Sequence, residues 1–200
     1  MVNAVQKALA IIAAKGGTIR TGEALAAGIH PRTLYAMRDS GALVTLARGL
    51  YRLASLPPVG DPDLALVAGR IPNGVVCLIS ALAIHELTTQ IPHTVHLAIP
   101  RSARYPRLRG LPLTVYRFSQ PAFSEGITAH DIGGATVRVY DAEKTIADCF
   151  KFRNRIGMDV VLEALATYRQ RPRASMQRIL EYARIDRVDS KIRPYLESHV

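Results

Sequence analysis

The 200-residue sequence predicts an α+β protein in two parts. A small helical domain closed by a β-hairpin comes first, and a mixed α/β domain ending in several helices follows. Three observations carry this. "GIHPRTLYAMRDSGALVTLARGLYRL" (residues 28–53) reads as a helix stop, a proline start, a short helix, a second stop and a tight hairpin. "SLPPVGDP" (55–62) concentrates proline and glycine as a domain boundary does. Beyond it, strand-like alternation at 94–99, 113–118 and 135–140 gives way to helical spacing through the last third. The expected domains are residues 1–55 and 61–200.

The first helix is expected in "MVNAVQKALAIIAAKGG". Its apolar run loosely mimics a signal peptide, but Val5, Leu9 and Ile12 keep helical spacing up to Gly16–Gly17. "TGEALAAGI" (21–29) is a second short helix, with Thr21 as the expected cap and Gly28 as the stop. Pro31 then opens a third helix running to Ser40. Ala24 and Gly28 supply the small residues that a steep helix–turn–helix crossing needs. On the third helix, Leu34 and Met37 share the core side, while Arg32, Tyr35, Ala36 and Asp39 lie broadly opposite.

Behind it, "LVTLARGLYRL" places Arg48-Gly49 at a hairpin tip. A two-residue turn would face Leu46 with Tyr51 and Val44 with Leu53, putting those four side chains against the helices. A type I turn with a Gly49 bulge competes, because arginine is poor at the first position of a type I′ turn. Three helices and a hairpin with a basic tip form the winged helix-turn-helix arrangement, in which a helix enters the major groove and the wing touches phosphate. An ordinary helical domain closed by a hairpin is the plainer alternative.

Composition bounds the partner. Apolar residues are 48% of the chain, enough for a packed core, and Lys+Arg exceed Asp+Glu by 26 to 16. The formal charge of +10 favours a polyanion such as nucleic acid, a membrane surface or an acidic protein, without choosing among them. Within 1–55 the bases are Lys7, Lys15, Arg20, Arg32, Arg38, Arg48 and Arg52 and the acids Glu23 and Asp39, so 7 − 2 gives +5. Cys77 and Cys149 lie far apart without a CxxC, which suits buried thiols in a reducing cytoplasm rather than a zinc site or disulfide frame. The run "VVCLISALAI" (75–84) is too short to span a membrane.

The stretch "GGTIRTGEALAAGIHPRTLYAMRDSGALVTLARGLYRLAS", with its "G-I-x-x-R-T-L-Y" and "L-x-R-G-L-Y-R-L", resembles the N-terminal winged helix of the AbiEi family. These are antitoxins and transcriptional regulators of type IV toxin–antitoxin systems. "VVCLISALAIHELT", "IPHTVHLAIPR" and "VYDAEKTIADCFKFRNRIGMD" are similar to the family's larger members. The resemblance implies a prokaryotic cytoplasmic repressor of its own operon, nucleoid-associated when bound to operator DNA and needing no cofactor. It also implies a C-terminal domain that opposes a nucleotidyltransferase-like toxin. By matching positions it makes Arg32, Thr33, Tyr35 and Arg48 DNA-contact candidates, to which local charge adds Arg20, Arg38 and Arg52.

The second domain offers no signature of chemistry. An Asp61-Pro62-Asp63 start should open a helix to about Arg70, and Ser80 should cap another over 81–87. "YDAEKTIAD" (140–148) carries Asp141, Glu143, Lys144 and Asp148. A metal nuclease of the D…ExK type needs Glu and Lys one residue apart on a strand, whereas here they adjoin on a helix that Asp141 should cap. His85, His93 and His96 suit loop and sheet positions better than a metal site. "PRSARYPRLRG" (100–110) sets Arg101, Arg104, Arg107 and Arg109 around Tyr105, a pattern fit for phosphate and base stacking or for a solvated loop. A non-enzymatic repressor with an antitoxin-type domain is the leading expectation. A nucleic-acid-processing enzyme delivered by its winged helix is the alternative, which would need Asp141, Glu143 and Asp148 to converge on a metal. The basic wing tip argues against a module that only binds proteins.

Overall fold

Ile12, Ala8 and the partly buried Val5 and Leu9 make one apolar stripe along α1 (Val2–Ala14), the helix that floors the first unit. The computed structural model describes residues 2–56, 62–106, 111–132 and 134–198. The expected linker lies mostly at 57–61, outside the described residues, and so do Arg107 and Arg109. Two compact units form: residues up to Pro72 with Ala129–Val137, and Asn73–Thr128 with Arg138–Val200.

In the first unit, α1 is followed by β1 (Thr18–Arg20), α2 (Thr21–Ala26) and α3 (Pro31–Asp39), then β2 (Leu43–Ala47) and β3 (Leu50–Leu53). The three strands pair in the order β1-β3-β2, all antiparallel. This is a winged helix. Its core joins Ile12, Ile19, Ala24, Ile29, Leu34, Met37, Leu43, Tyr51 and Leu53. The expected Thr21 cap is corrected: Arg20 holds the N-cap position and Thr21 is the first helical residue. Gly28 ends the helical turn with φ +82, as expected of a C-terminal stop.

The hairpin register also departs from the two-residue expectation. Leu43 faces Leu53 and Thr45 faces Tyr51, and the register shifts between Thr45 and Ala47, so Leu46 is an inserted residue. One extra residue moves every side chain before it to the other face. Leu43 therefore enters the core, and Val44 stands 48% exposed. The sequence-level reading also lacked β1. That strand makes β3 central, and Leu50 to Leu53 are all buried.

One more helix, α4 (Pro62–Arg70), completes the first unit. Residues 62–72 thus pack with the N-terminal unit, although the sequence groups them with 61–200. In the second unit come β4 (Val75–Val76), α5 (Leu78–Ile84), β5 (Val95–Pro100), β6 (Leu113–Phe118) and α6 (Gln120–Ser124). The hairpin β7 (Ile127–Ile132) and β8 (Ala135–Tyr140) follows, its tip grouping with the first unit. The chain ends in α7 (Ala142–Lys151), α8 (Arg153–Ile156), α9 (Met158–Arg169), α10 (Met176–Ile185) and α11 (Asp189–Glu197). The strands order as β6-β5-β4-β8-β7, and Val75, Ala98, Tyr140, Ile146, Val161 and Ile179 belong to the core against the terminal helices. Cys77, not Ser80, holds the α5 N-cap position; Ser80 sits inside the helix, where its hydroxyl donates to Thr94 O at 3.3 Å and accepts from His96 N at 3.0 Å.

Candidate nucleic-acid interface

The start of α3 is built by three adjacent residues. His30 is the N-cap, its Nδ1 accepting the Arg32 N–H at 3.2 Å, and Pro31 follows where a missing N–H costs nothing. Leu34 and Met37 bury at 0% and 1% exposure, which turns the other face outward. That face carries Arg32, Tyr35, Ala36, Arg38 and Asp39 exposed and Thr33 half-buried. Arg38 is engaged already: its guanidinium bonds Asp39 at 2.7 Å and lies over the Tyr35 ring at 5.1 Å from the centroid. Arg32 is the cation at the helix start, and no ion pair or ring contact holds it among the described residues.

Arg48 is exposed at the wing tip, beside Gly49 at φ +73. This conformation suits glycine and closes the turn. The Gly49 carbonyl accepts the Thr21 N–H at 3.0 Å and faces the Thr21 hydroxyl at 3.4 Å. The wing tip is thereby tied to the start of α2, next to Arg20. Arg20 is half-buried, donates its backbone N–H to Glu23 at 3.0 Å, and has an Nη2 that is buried without a hydrogen-bond partner among the described residues.

The expected site thus divides. Arg32, Thr33, Tyr35 and Arg38 share α3, while Arg20 and Arg48 line a groove of about 490 Å³ that no α3 residue enters. Arg52 leaves the surface: it is 4% exposed, and its Nη1 donates to Leu56 O at 3.4 Å. All four residues of its strand are buried, so Arg52 is not presented to a ligand. Arg70, at the end of α4, lines the same groove as Arg20 and Arg48 and was missed from sequence, because α4 follows the proline stretch. Its one advance signal is a basic residue closing a helix.

In the second unit Arg101 and Arg104 are exposed and Tyr105 is 51% exposed, in the turn after β5. The carboxylates of "YDAEKTIAD" go to separate partners. Asp141 caps α7 through the Lys144 N–H at 2.7 Å and accepts from Tyr182 at 2.7 Å and Arg178 at 3.1 Å. Glu143 accepts the Tyr168 hydroxyl at 2.6 Å, and Asp148 pairs with the buried Lys144 ammonium. Among the described residues no group of three or more His, Cys, Asp or Glu could hold a metal ion. His85 lies 2.7 Å from Tyr140 O, and burial, with Arg155 nearby, lowers the His96 pKa. Among the described residues no helix is long and apolar enough to cross a membrane.

Residues 6–54 match the family model described as "Transcriptional regulator, AbiEi antitoxin". The matched residues are those of the winged helix. No curated protein matches the chain. Among solved structures it is similar to the crystal structure of the RV2827C protein from Mycobacterium tuberculosis, at 13% identity and a TM-score of 0.46, covering 95% of this chain and 81% of that one. The matched segment spans the expected recognition helix and wing, from within α1 to just past the end of β3.

Proposed function

We propose that this protein represses the operon that encodes it and serves as the antitoxin of a type IV toxin–antitoxin system, countering a nucleotidyltransferase-like toxin. The observation that carries the reading is the outward face of α3, with Arg32 at its start and a buried Leu34–Met37 side, inside a segment that matches a family of regulators. In this reading α3 lies in the major groove of a duplex operator. Arg32 offers paired donors to a guanine edge, and Arg48 holds phosphate from the wing. Residues 1–55 supply the reading elements. The antitoxin effect belongs to residues beyond α4, where the turn of Arg101, Arg104 and Tyr105 is a candidate second nucleic-acid contact. The protein works in the prokaryotic cytoplasm, on the nucleoid when bound.

An anisotropy titration of the full chain tests the repressor half, comparing a duplex from its own upstream region with a scrambled duplex at moderate salt. Equal affinity for the two would sink it. Co-expression with the nucleotidyltransferase-like gene next to it tests the antitoxin half. Growth arrest that persists while the chain is folded and abundant would refute it.

A further inference from the structure

Gly69 sits where a Cβ would come within 2.4 Å of Leu50 Cδ2. The missing side chain lets the end of α4 close on β3, and the next residue, Arg70, then stands beside the wing turn. Three arginines from three elements line the resulting groove: Arg20 from the β1–α2 junction, Arg48 from the wing and Arg70 from α4. Glu23 is the one acid in the lining, and it is occupied by the Arg20 backbone N–H at 3.0 Å. Thr21 and Gly49 fix the wall between Arg20 and Arg48 through their 3.0 Å bond. The lining carries three guanidinium groups against one carboxylate. A phosphate oxygen is the acceptor that such a surplus of guanidinium donors fits.

We propose that this groove is a second DNA-contact site, in which Arg70 of α4, with Arg20 and Arg48, grips a backbone phosphate flanking the base pairs read by α3. The inference rests on the DNA-binding reading above and deepens it. Helix α4 is then part of the DNA-binding surface, although it lies beyond the segment that matches the regulator family. The contact is with the phosphodiester and carries no sequence information. Arg70 therefore adds affinity to every duplex and leaves the preference for the operator unchanged.

The test is a salt series of anisotropy titrations on the full-length protein, with Arg70→Gln and Arg70→Lys, against the upstream duplex and a scrambled one. Arg70 is exposed, and circular dichroism checks that both variants keep the fold. Loss of one phosphate contact should flatten the slope of log affinity against log salt by about 0.9. Between 50 and 200 mM salt, the advantage of wild type over Arg70→Gln should shrink roughly 3.5-fold, the fourfold salt change raised to that slope. Both duplexes should show the same loss, and Arg70→Lys should restore the slope. A wild-type slope in Arg70→Gln, alongside a reduced slope in Arg48→Ala, would overturn the groove and leave the DNA reading standing. No binding by the wild type to either duplex would overturn both. Inorganic tripolyphosphate supplies a third arm: stabilisation of wild type but not of Arg70→Gln, with equal DNA slopes, would make the groove a site for free anions and refute the DNA contact.

Discussion

Replacing Asp148 with asparagine should remove a dependence of stability on pH that wild type shows. Asp148 and Asp186 are both buried, and the Oδ2 of each has no hydrogen-bond partner among the described residues. Asp148 Oδ1 pairs with Lys144 Nζ, and Asp186 Oδ1 with Lys151 Nζ at 2.8 Å. The Asp148 carboxyl, holding a proton, hydrogen-bonds Asp186, whose Oδ2 also lies 3.5 Å from Lys144 Nζ. Burial pushes the Asp148 carboxyl well above the ordinary value of 3.8, against the pull of Lys144. For Asp186, burial is outweighed by the hydrogen bond from Asp148 and by the ammoniums of Lys144 and Lys151, so its carboxyl lies lower than usual. Burial also raises the nearby Cys77, Cys149 and Tyr140, which stay neutral.

The sign follows. Above the ordinary aspartate value the unfolded chain gives up the Asp148 proton while the folded chain keeps it, so the folded state binds one more. Its stability then falls as pH rises, by up to about tenfold in the folding constant for each pH unit over which the two states differ by that proton. Asp186 acts oppositely: its contribution is present above the ordinary value and is lost as pH falls below it. Asp148→Asn keeps a neutral donor and cannot titrate. Urea titrations followed by circular dichroism, run for both proteins from mildly acidic to neutral pH, should show wild type losing ground to Asp148→Asn as pH rises. Parallel profiles would refute the proton held on Asp148. Asp186→Asn should be strongly destabilised at neutral pH, by roughly 3–5 kcal/mol, because it leaves buried ammonium charge uncompensated.

Arg32→Ala should cost roughly 1–3 kcal/mol on the operator and relax its sequence preference, whereas Arg48→Ala should weaken operator and scrambled duplex alike; a changed preference in Arg48→Ala would show the wing reading bases. Arg52→Met should destabilise the first unit by roughly 1–3 kcal/mol, since Leu56 O loses a buried donor, and leave the salt slope of DNA binding intact once corrected for the folded fraction. A flattened slope in that variant would return Arg52 to the DNA surface. Gly69→Val should force α4 away from Leu50, so adding Arg70→Gln to it should then cost less DNA affinity than in wild type; additive losses would show that Gly69 does not set the place of Arg70.

Much of the first unit is local in origin, which is why the sequence predicts it. The spacing of Leu34 and Met37, the Pro31 start, the Gly28 stop and the Arg48-Gly49 turn each depend on a few neighbouring residues, and all appear where expected. Asp141 caps α7 for the same reason. β6 and β8 start and end where their alternation predicts. Tertiary structure decided the rest. The extra Leu46 reverses the wing's faces, and no alternation pattern announces a bulge whose position depends on how Tyr51 and Leu53 meet the helices. The three-residue β1 is too short to show a period, yet it pairs with β3, in which Arg52, a candidate DNA contact from sequence, is a buried residue. Lys144 reads as a surface charge beside Glu143, but pairing with Asp148 one turn along α7 and with Asp186 at the end of α10 takes it fully inside. Arg70 joins Arg20 and Arg48 through the packing of α4 beside Leu50 of β3, which no local pattern announces. Periodicity and capping are properties of a short stretch of chain; register, burial and the meeting of distant charges depend on which surfaces cover one another, and that is settled when the chain packs.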